Sequence, residues 1–242
     1  MTRTILVTGG TRGIGLAVAR RLARDGHRVA ISFRSGAEAA ERARDTLEAE
    51  GAEAAHFRAD LSDPVAARAL PDAVADRFGG LDALIDNAGV TDDGAFLTLD
   101  RARYAAVLRT NLAGTMRVTA AALPHLLRAD RAAVVIMSSL GGVVGKEGQA
   151  AYATSKGALI GYTQWLGREF AAAGLAVNAI APAFVETDMM AVLADSMTAP
   201  IIDGSALSRA GRPEEVAEAV AWLLAPGYMQ STTLRLDGGF NR

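Results

Sequence analysis

Along nearly the whole chain, short apolar runs alternate with longer stretches whose apolar residues recur at helical spacing. The runs Thr4–Thr8, Arg28–Phe33, Ala55–Ala59, Ala83–Asp86, Ala132–Met137, Ala176–Ile180 and Thr233–Leu236 read as strands. Between them Gly13–Asp25, Ala37–Glu50, Pro64–Arg77, Ala102–Arg128, Tyr152–Ala173 and Pro213–Leu224 read as helices. Strict alternation means parallel strands joined by helical crossovers. The fold class that follows is α/β, a doubly wound seven-stranded parallel sheet with helices on both faces. Nothing reads as a linker or an internal repeat, so residues 1–242 are expected to form a single domain. One segment breaks the rhythm: Glu186–Ser208, rich in Met, Ala and Asp. It follows the carboxyl end of the sixth strand, where a lid over a ligand would sit.

The first strand runs straight into Gly9-Gly10-Thr11-Arg12-Gly13-Ile14-Gly15, which opens the first helix. Glycines permit a tight turn and close backbone approach, and a helix amino terminus attracts negative charge, so this turn suits a pyrophosphate. Its place in a βαβ unit is the context that a dinucleotide-binding turn requires. Eighteen residues after Gly15 the second strand ends at Phe33-Arg34. An acid there would hold the ribose of NAD; Phe33 takes its place, and Arg34 and Arg12 offer guanidinium forks that match a 2′-phosphate. The pattern points to NADPH/NADP+, though two solvated surface arginines would read the same in isolation. Asp60-Leu61 and Asn87-Ala88-Gly89 follow the third and fourth strands, at the ligand edge of such a sheet. Asp60 reads equally well as the cap of the next helix.

A third stretch carries the chemistry. The fifth strand delivers Ser138 and Ser139, a glycine-rich loop follows, and then Tyr152 and Lys156 stand four residues apart. On a helix these two share one face, so a phenol and an ammonium lie side by side near a hydroxyl. The chain has two lysines against twenty-three arginines. A lysine kept here suggests a task that arginine, which does not release its proton, cannot perform. Taken alone, the Tyr-Lys pair also fits a surface helix whose polar residues happen to neighbour.

Composition removes other classes. The chain is 50% hydrophobic with no apolar run long enough to span a membrane. Met1-Thr2-Arg3 leads directly into a strand, so no signal peptide is expected. Zero cysteines exclude disulfides and thiolate metal sites and fit a cytoplasmic location. The net charge of −2 is scattered, without the basic stripe that nucleic acid requires. His27, His56 and His125 fit no metal spacing, and no metal is expected.

Taken together, Thr8 through Gly15, Asn87-Ala88-Gly89, Asn111, Ser139, Tyr152-Ala153-Thr154-Ser155-Lys156 and Pro182 through Thr187 resemble the short-chain dehydrogenase/reductase family, in its classical branch. Glu186 through Met189, Gly211 through Ala217 and Leu236 through Gly239 are most similar to the 3-oxoacyl-[acyl-carrier-protein] reductases. There are departures. Asp86 stands where the family usually has an asparagine and is expected to have little effect. Ala183 replaces a glycine after Pro182, and its methyl restricts the loop that borders the nicotinamide. The turn at Pro226 through Ser231 is shorter than usual, in a region that often packs between subunits. Ala171-Ala172-Ala173 replaces a basic residue found in relatives that dock acyl carrier protein, with Arg128, Arg131 and Arg168 nearby.

The resemblance implies a Rossmann-type domain and NADPH-dependent reduction of a ketone to an alcohol. Tyr152 would be the general acid, and a neighbouring cation, Lys156, would favour its phenolate. Lys156 would also hold the nicotinamide ribose, Ser139 would hydrogen-bond the carbonyl oxygen, and Asn111 would anchor a water reloading the proton. Asn111 reads otherwise as a buried amide satisfied by the backbone. Thr187 and the backbone at Val185 would hold the carboxamide. Phe96, Leu97, Val144, Gln149, Met189, Met190, Leu193 and Met197 are candidate substrate contacts or, for the methionines, ordinary core. The expected substrate is a 3-oxoacyl thioester on acyl carrier protein, in fatty-acid or polyketide assembly. A free small, quinone or polycyclic ketone is the alternative; a non-catalytic NADP-binding sensor would lack the chemical residues that are present here. The resemblance and the broad apolar faces of the helices Ala102–Arg128 and Tyr152–Ala173 imply a homotetramer, or a dimer if the short turn spoils the second contact.

Overall fold

The computed structural model describes residues 2–187, 204–225 and 227–240. Seven parallel strands form one sheet: β1 (Thr4–Val7), β2 (Arg28–Phe33), β3 (Ala54–Arg58), β4 (Ala83–Asp86), β5 (Ala133–Met137), β6 (Ala176–Pro182) and β7 (Thr233–Leu236). Their spatial order is β3-β2-β1-β4-β5-β6-β7, with β7 at an edge. The helices are α1 (Gly13–Arg24), α2 (Ala37–Ala49), α3 (Pro64–Phe78), α4 (Arg101–Leu108), α5 (Thr115–Leu126), α6 (Leu140–Val144), α7 (Ala150–Phe170) and α8 (Pro213–Leu224). The expected alternation is observed.

Period two along the strands divides the core between the two faces. Ile5, Val7, Ile31, Ile85 and Val135 point to the face covered by α1, α2 and α8, where Val18, Leu22, Leu47 and Val220 meet them. Leu6, Leu84, Val134 and Ile136 point the other way, onto Leu70, Val74, Val118, Leu159 and Leu166 of α3, α5 and α7. Full burial of such a side chain stabilises by about 2 kcal/mol, so sheet covering, not helix propensity, holds the crossovers in place.

Three elements differ from the sequence reading. The expected helix Ala102–Arg128 is interrupted by a π-helical turn, Arg109–Gly114, between α4 and α5. There Gly114 presses on residue 61, where a Cβ would stand 2.7 Å from the Leu61 carbonyl. The glycine-rich loop after β5 contains the short helix α6, and β6 runs on to Pro182. Most of the expected lid, with Met189, Met190, Leu193 and Met197, lies outside the described residues.

The site lies where β1 and β4 diverge. β1 is flanked by β2 on one side and β4 on the other, and the next connections leave to opposite faces. That is the switch point at which open α/β sheets form a crevice at their carboxyl ends.

Candidate active site

The glycine turn is held by the next strand end. Thr8 Oγ1 accepts the backbone amides of Asn87 at 2.9 Å and Ala88 at 3.0 Å. Asn87 Nδ2 donates back to the Thr8 and Gly9 carbonyls at 2.9 and 3.1 Å. Gly9 and Gly13 adopt φ of +65° and +53°, a region that disfavours side chains. At Gly15 a Cβ would stand 2.2 Å from the Gly9 carbonyl, so the turn closes only without one. Arg12 occupies the N-cap of α1 without a side-chain cap, which leaves the first-turn amides open to an anion. Thr11, Gly10 and Ile14 complete the turn, and Thr187 is brought over it, 3.4 Å from an ideal Cβ on Gly13.

Ser139 follows β5 and caps α6, accepting the Gly141 amide at 3.1 Å. Tyr152 stands in the first turn of α7, close enough to Ser139 for that hydroxyl to favour its phenolate. Lys156 is 3% exposed; its Nζ lies 5.8 Å from the Tyr152 ring centre and donates to the Met137 carbonyl at 2.7 Å. Burial lowers the Lys156 ammonium to about 8, partly offset by Asp86. The Tyr152 phenol is pushed up, by burial first, against the Ser139 hydroxyl. The lowering expected from Lys156 does not win here, because burial dominates and the ammonium is directed onto a strand carbonyl.

Asn111 sits in the π-helical turn and is fully buried. Its Oδ1 accepts the Val90 amide at 2.8 Å, and its Nδ2 donates to the Val90 carbonyl at 2.8 Å and to Ser155 Oγ at 3.1 Å. The side chain is thus satisfied largely by backbone, the second of the two readings open in the sequence. Gly89 lies between Asn111 and Lys156: a Cβ there would be 3.4 Å from Asn111 Oδ1 and from Lys156 Nζ.

Asp60 is not a helix cap; Asp63 caps α3. Asp60 Oδ1 instead accepts the Ser62 amide at 2.9 Å and hydroxyl at 2.7 Å. Burial raises its carboxyl, but the Ser62 bonds and the Arg34 charge outweigh this and hold it below the usual range. Leu61 beside it is buried. Arg12 and Arg34 are exposed, with no side-chain hydrogen bond or ion pair among the described residues. Arg58 joins them, its Nε 3.4 Å from the Arg34 carbonyl, a third guanidinium that the sequence reading passed over because it lies at the end of the next strand.

Val185 is buried and bridges to Gly211, through bonds made by Phe184 and Glu186 rather than by its own amide. Phe96 and Leu97 are 70% and 96% exposed, and Val144 is 47% exposed, so these three are rim and not core. Gln149 donates to Asp93 at 2.8 Å, tying the loop before α7 to the loop after β4. The sequence reading named Ser138 and Ser155 but gave them no role: the Ser138 hydroxyl donates to the Lys156 carbonyl at 2.9 Å, and the Ser155 hydroxyl to the Tyr152 carbonyl at 2.7 Å. Ser155 was within the motif, but its partner Asn111 is forty-four residues away.

Comparison with known proteins bears on this arrangement. A family model described as short chain dehydrogenase matches residues 3–198. The 3-oxoacyl-[acyl-carrier-protein] reductase FabG of Staphylococcus aureus is 34% identical over 241 residues, 99% of this chain and 98% of that one. Nodulation protein G of Azospirillum brasilense is 35% identical over 238 residues, 98% of this chain and 97% of that one. Among solved structures, a short chain dehydrogenase from Burkholderia cenocepacia in complex with NADP superposes with a TM-score of 0.93 at 38% identity, covering 100% of this chain and 98% of that one.

Proposed function

The chain belongs to the short chain dehydrogenase family, and from that premise we propose that it is an NADP-dependent ketoreductase acting on a 3-oxoacyl thioester, carried on acyl carrier protein. The observation that carries this reading is the meeting of Ser139, Tyr152 and Lys156 beside Gly89, at the same sheet edge as the uncapped amino terminus of α1.

The residues present fit a dinucleotide phosphate. Gly9, Gly10, Thr11, Arg12, Gly13, Ile14 and Gly15 would hold the pyrophosphate, with Arg34 and Arg12 on the 2′-phosphate and Arg58 in support. Asp60 and Leu61 would border the adenine, Asn87, Gly89, Tyr152 and Lys156 the nicotinamide ribose, and Val185 and Thr187 the carboxamide. When bound, the nicotinamide supplies the hydride. Tyr152 then gives its proton to the carbonyl oxygen as charge develops there, a step that general acid catalysis accelerates by about 10²–10⁴-fold. Ser139 donates to the same oxygen and stabilises its charge. The Lys156 ammonium stabilises the phenolate that remains once the proton has left. Asn111 holds the wall behind Lys156 through Val90 and Ser155. The exposed apolar rim at Phe96, Leu97 and Val144 suits an acyl chain.

NADPH consumption by the purified protein, measured against acetoacetyl thioesters, free β-ketoesters and cyclic ketones, tests this reading. Turnover is expected to favour the thioesters. Tyr152→Phe is expected to lose turnover while NADPH binding is retained, and more than a tenth of the parent kcat remaining would remove Tyr152 from its role. Turnover confined to free ketones would transfer the substrate to that class.

A further inference from the structure

Asp86 ends β4, and its side chain is shut beneath α5, 2% exposed. Its Oδ2 accepts the Thr119 hydroxyl at 2.7 Å, while Oδ1 is buried without a hydrogen-bond partner among the described residues. Thr119 Oγ1 also lies 2.9 Å from the Thr115 carbonyl. A threonine hydroxyl has one proton to give. When Asp86 is ionised that proton points to the carboxylate. When Asp86 is protonated it donates to Thr119, and Thr119 turns to Thr115. The cluster therefore holds either charge state by rotating one hydroxyl, with no movement of heavy atoms.

Lys156 stands on the same face. Asp86 pairs in register with Ile136 of β5, and the ammonium bonds the carbonyl of the next residue, Met137. One strand spacing separates those backbones, which puts the two charges within about 10 Å in a layer closed to water. Among the described residues, Lys156 is the one cation acting on Asp86, and Asp86 the one anion acting on Lys156. The other groups facing Asp86 are Thr119 from α5 and Tyr162 from α7, whose phenol burial pushes up to about 12 and so keeps neutral. Burial raises the Asp86 carboxyl to about 7, against the pull of Thr119 and Lys156, so both members of the pair change charge near neutrality.

We propose that Asp86 is a positioning residue: the buried counter-ion that keeps the Lys156 ammonium charged beside Tyr152. The proposal rests on the role given to Lys156 above, but its test requires no turnover. The chain has two lysines, Lys146 and Lys156. In a Lys146→Arg background, ε-¹³C-lysine labelling leaves a single side-chain signal whose pH titration reports Lys156. Adding Asp86→Asn is expected to lower its midpoint by about one pH unit, the effect of removing an opposite charge from a layer where water screens little. Thr119→Val, which withdraws the donor to the Asp86 carboxylate, is expected to lower it by less. A midpoint that stays within ~0.2 pH unit or rises in Asp86→Asn overturns the proposal. Should that variant fail to fold, an unchanged midpoint in Thr119→Val overturns it. A protein that reduces none of the ketones offered but shows the shift would retain the pair and lose only the substrate reading.

Discussion

Asp86 lowers the stability of the chain that contains it. Burial raises its carboxyl from an ordinary value of 3.8 to about 7. A carboxyl raised on folding leaves stability intact below the unfolded value and removes it as pH climbs towards the folded one; above about 7 the loss is complete. At ~1.4 kcal/mol per pH unit the full cost is on the order of 4 kcal/mol. Asn at this position keeps the shape and carries no charge. Asp86→Asn is therefore expected to melt higher than the parent at pH 8, with the difference shrinking to nothing near pH 4. An equal shift in Tm at both pH values would show that charge is not the cause. Lys156, deprived of its counter-ion in that variant, limits its own cost by losing its proton. Retaining a destabilising carboxylate beside a reactive lysine is the trade of stability against activity that sites often show.

Elements contribute through their contacts as much as through their side chains. α6 and α7 cross at Gly142, where a Cβ would stand 2.6 Å from the Lys156 backbone carbon; that closeness sets Ser139 against the first turn of α7. The turn before β7, read in the sequence as shorter than usual and a threat to a subunit contact, is fastened by one side chain. Gln230 Oε1 accepts the Val177 amide at 2.9 Å, and Nε2 donates to the Gly167 and Leu175 carbonyls at 2.7 and 2.9 Å. Asn178 adds bonds to Met229 and Thr232 from β6. Removing a side chain that satisfies part-buried backbone groups leaves them unpaired at about 1–3 kcal/mol each. Gln230→Ala is expected to lower the urea midpoint by an amount equivalent to about 3 kcal/mol, with the slope of the transition unchanged. A midpoint within experimental error of the parent would mean that the turn is held by other bonds.

The assembled molecule is expected to be larger than one chain. α5 and α7 expose Met116 and Trp165, and Trp165 stacks on the partly buried Tyr162. Apolar residues on two neighbouring helices favour pairing with a symmetry mate, as two-fold interfaces require. β7 at the sheet edge, with Tyr228 fully exposed beside it, offers a second contact. Light scattering at micromolar concentration is expected to give about four times the 25.1 kDa chain mass. A dimer mass would remove the second interface alone; a monomer mass would remove both. No helix among the described residues is long and apolar enough to cross a membrane.

The order of elements, the edge of the sheet that takes a ligand, the glycine turn and the Tyr152–Lys156 pair were all legible in the residues, because each is written in spacing over a few positions. Apolar period two and period 3.6 are local, and so is an i, i+4 pair. The π-helical turn that carries Asn111 inward, the Ser138 and Ser155 bonds, and the cluster of Asp86, Thr119 and Tyr162 join residues many positions apart. No local pattern specifies such partners. Burial decided the rest. Lys156 as a cation near Tyr152 argued for a lowered phenol, but the packing of α7 removed water from both and reversed the direction for Tyr152. The same packing turned Asp86, read in the sequence as a strand end of little effect, into a buried charge facing that lysine. Charge in a protein is governed by how much water and which opposite charge surround it, and neither exists until the chain has folded around the group.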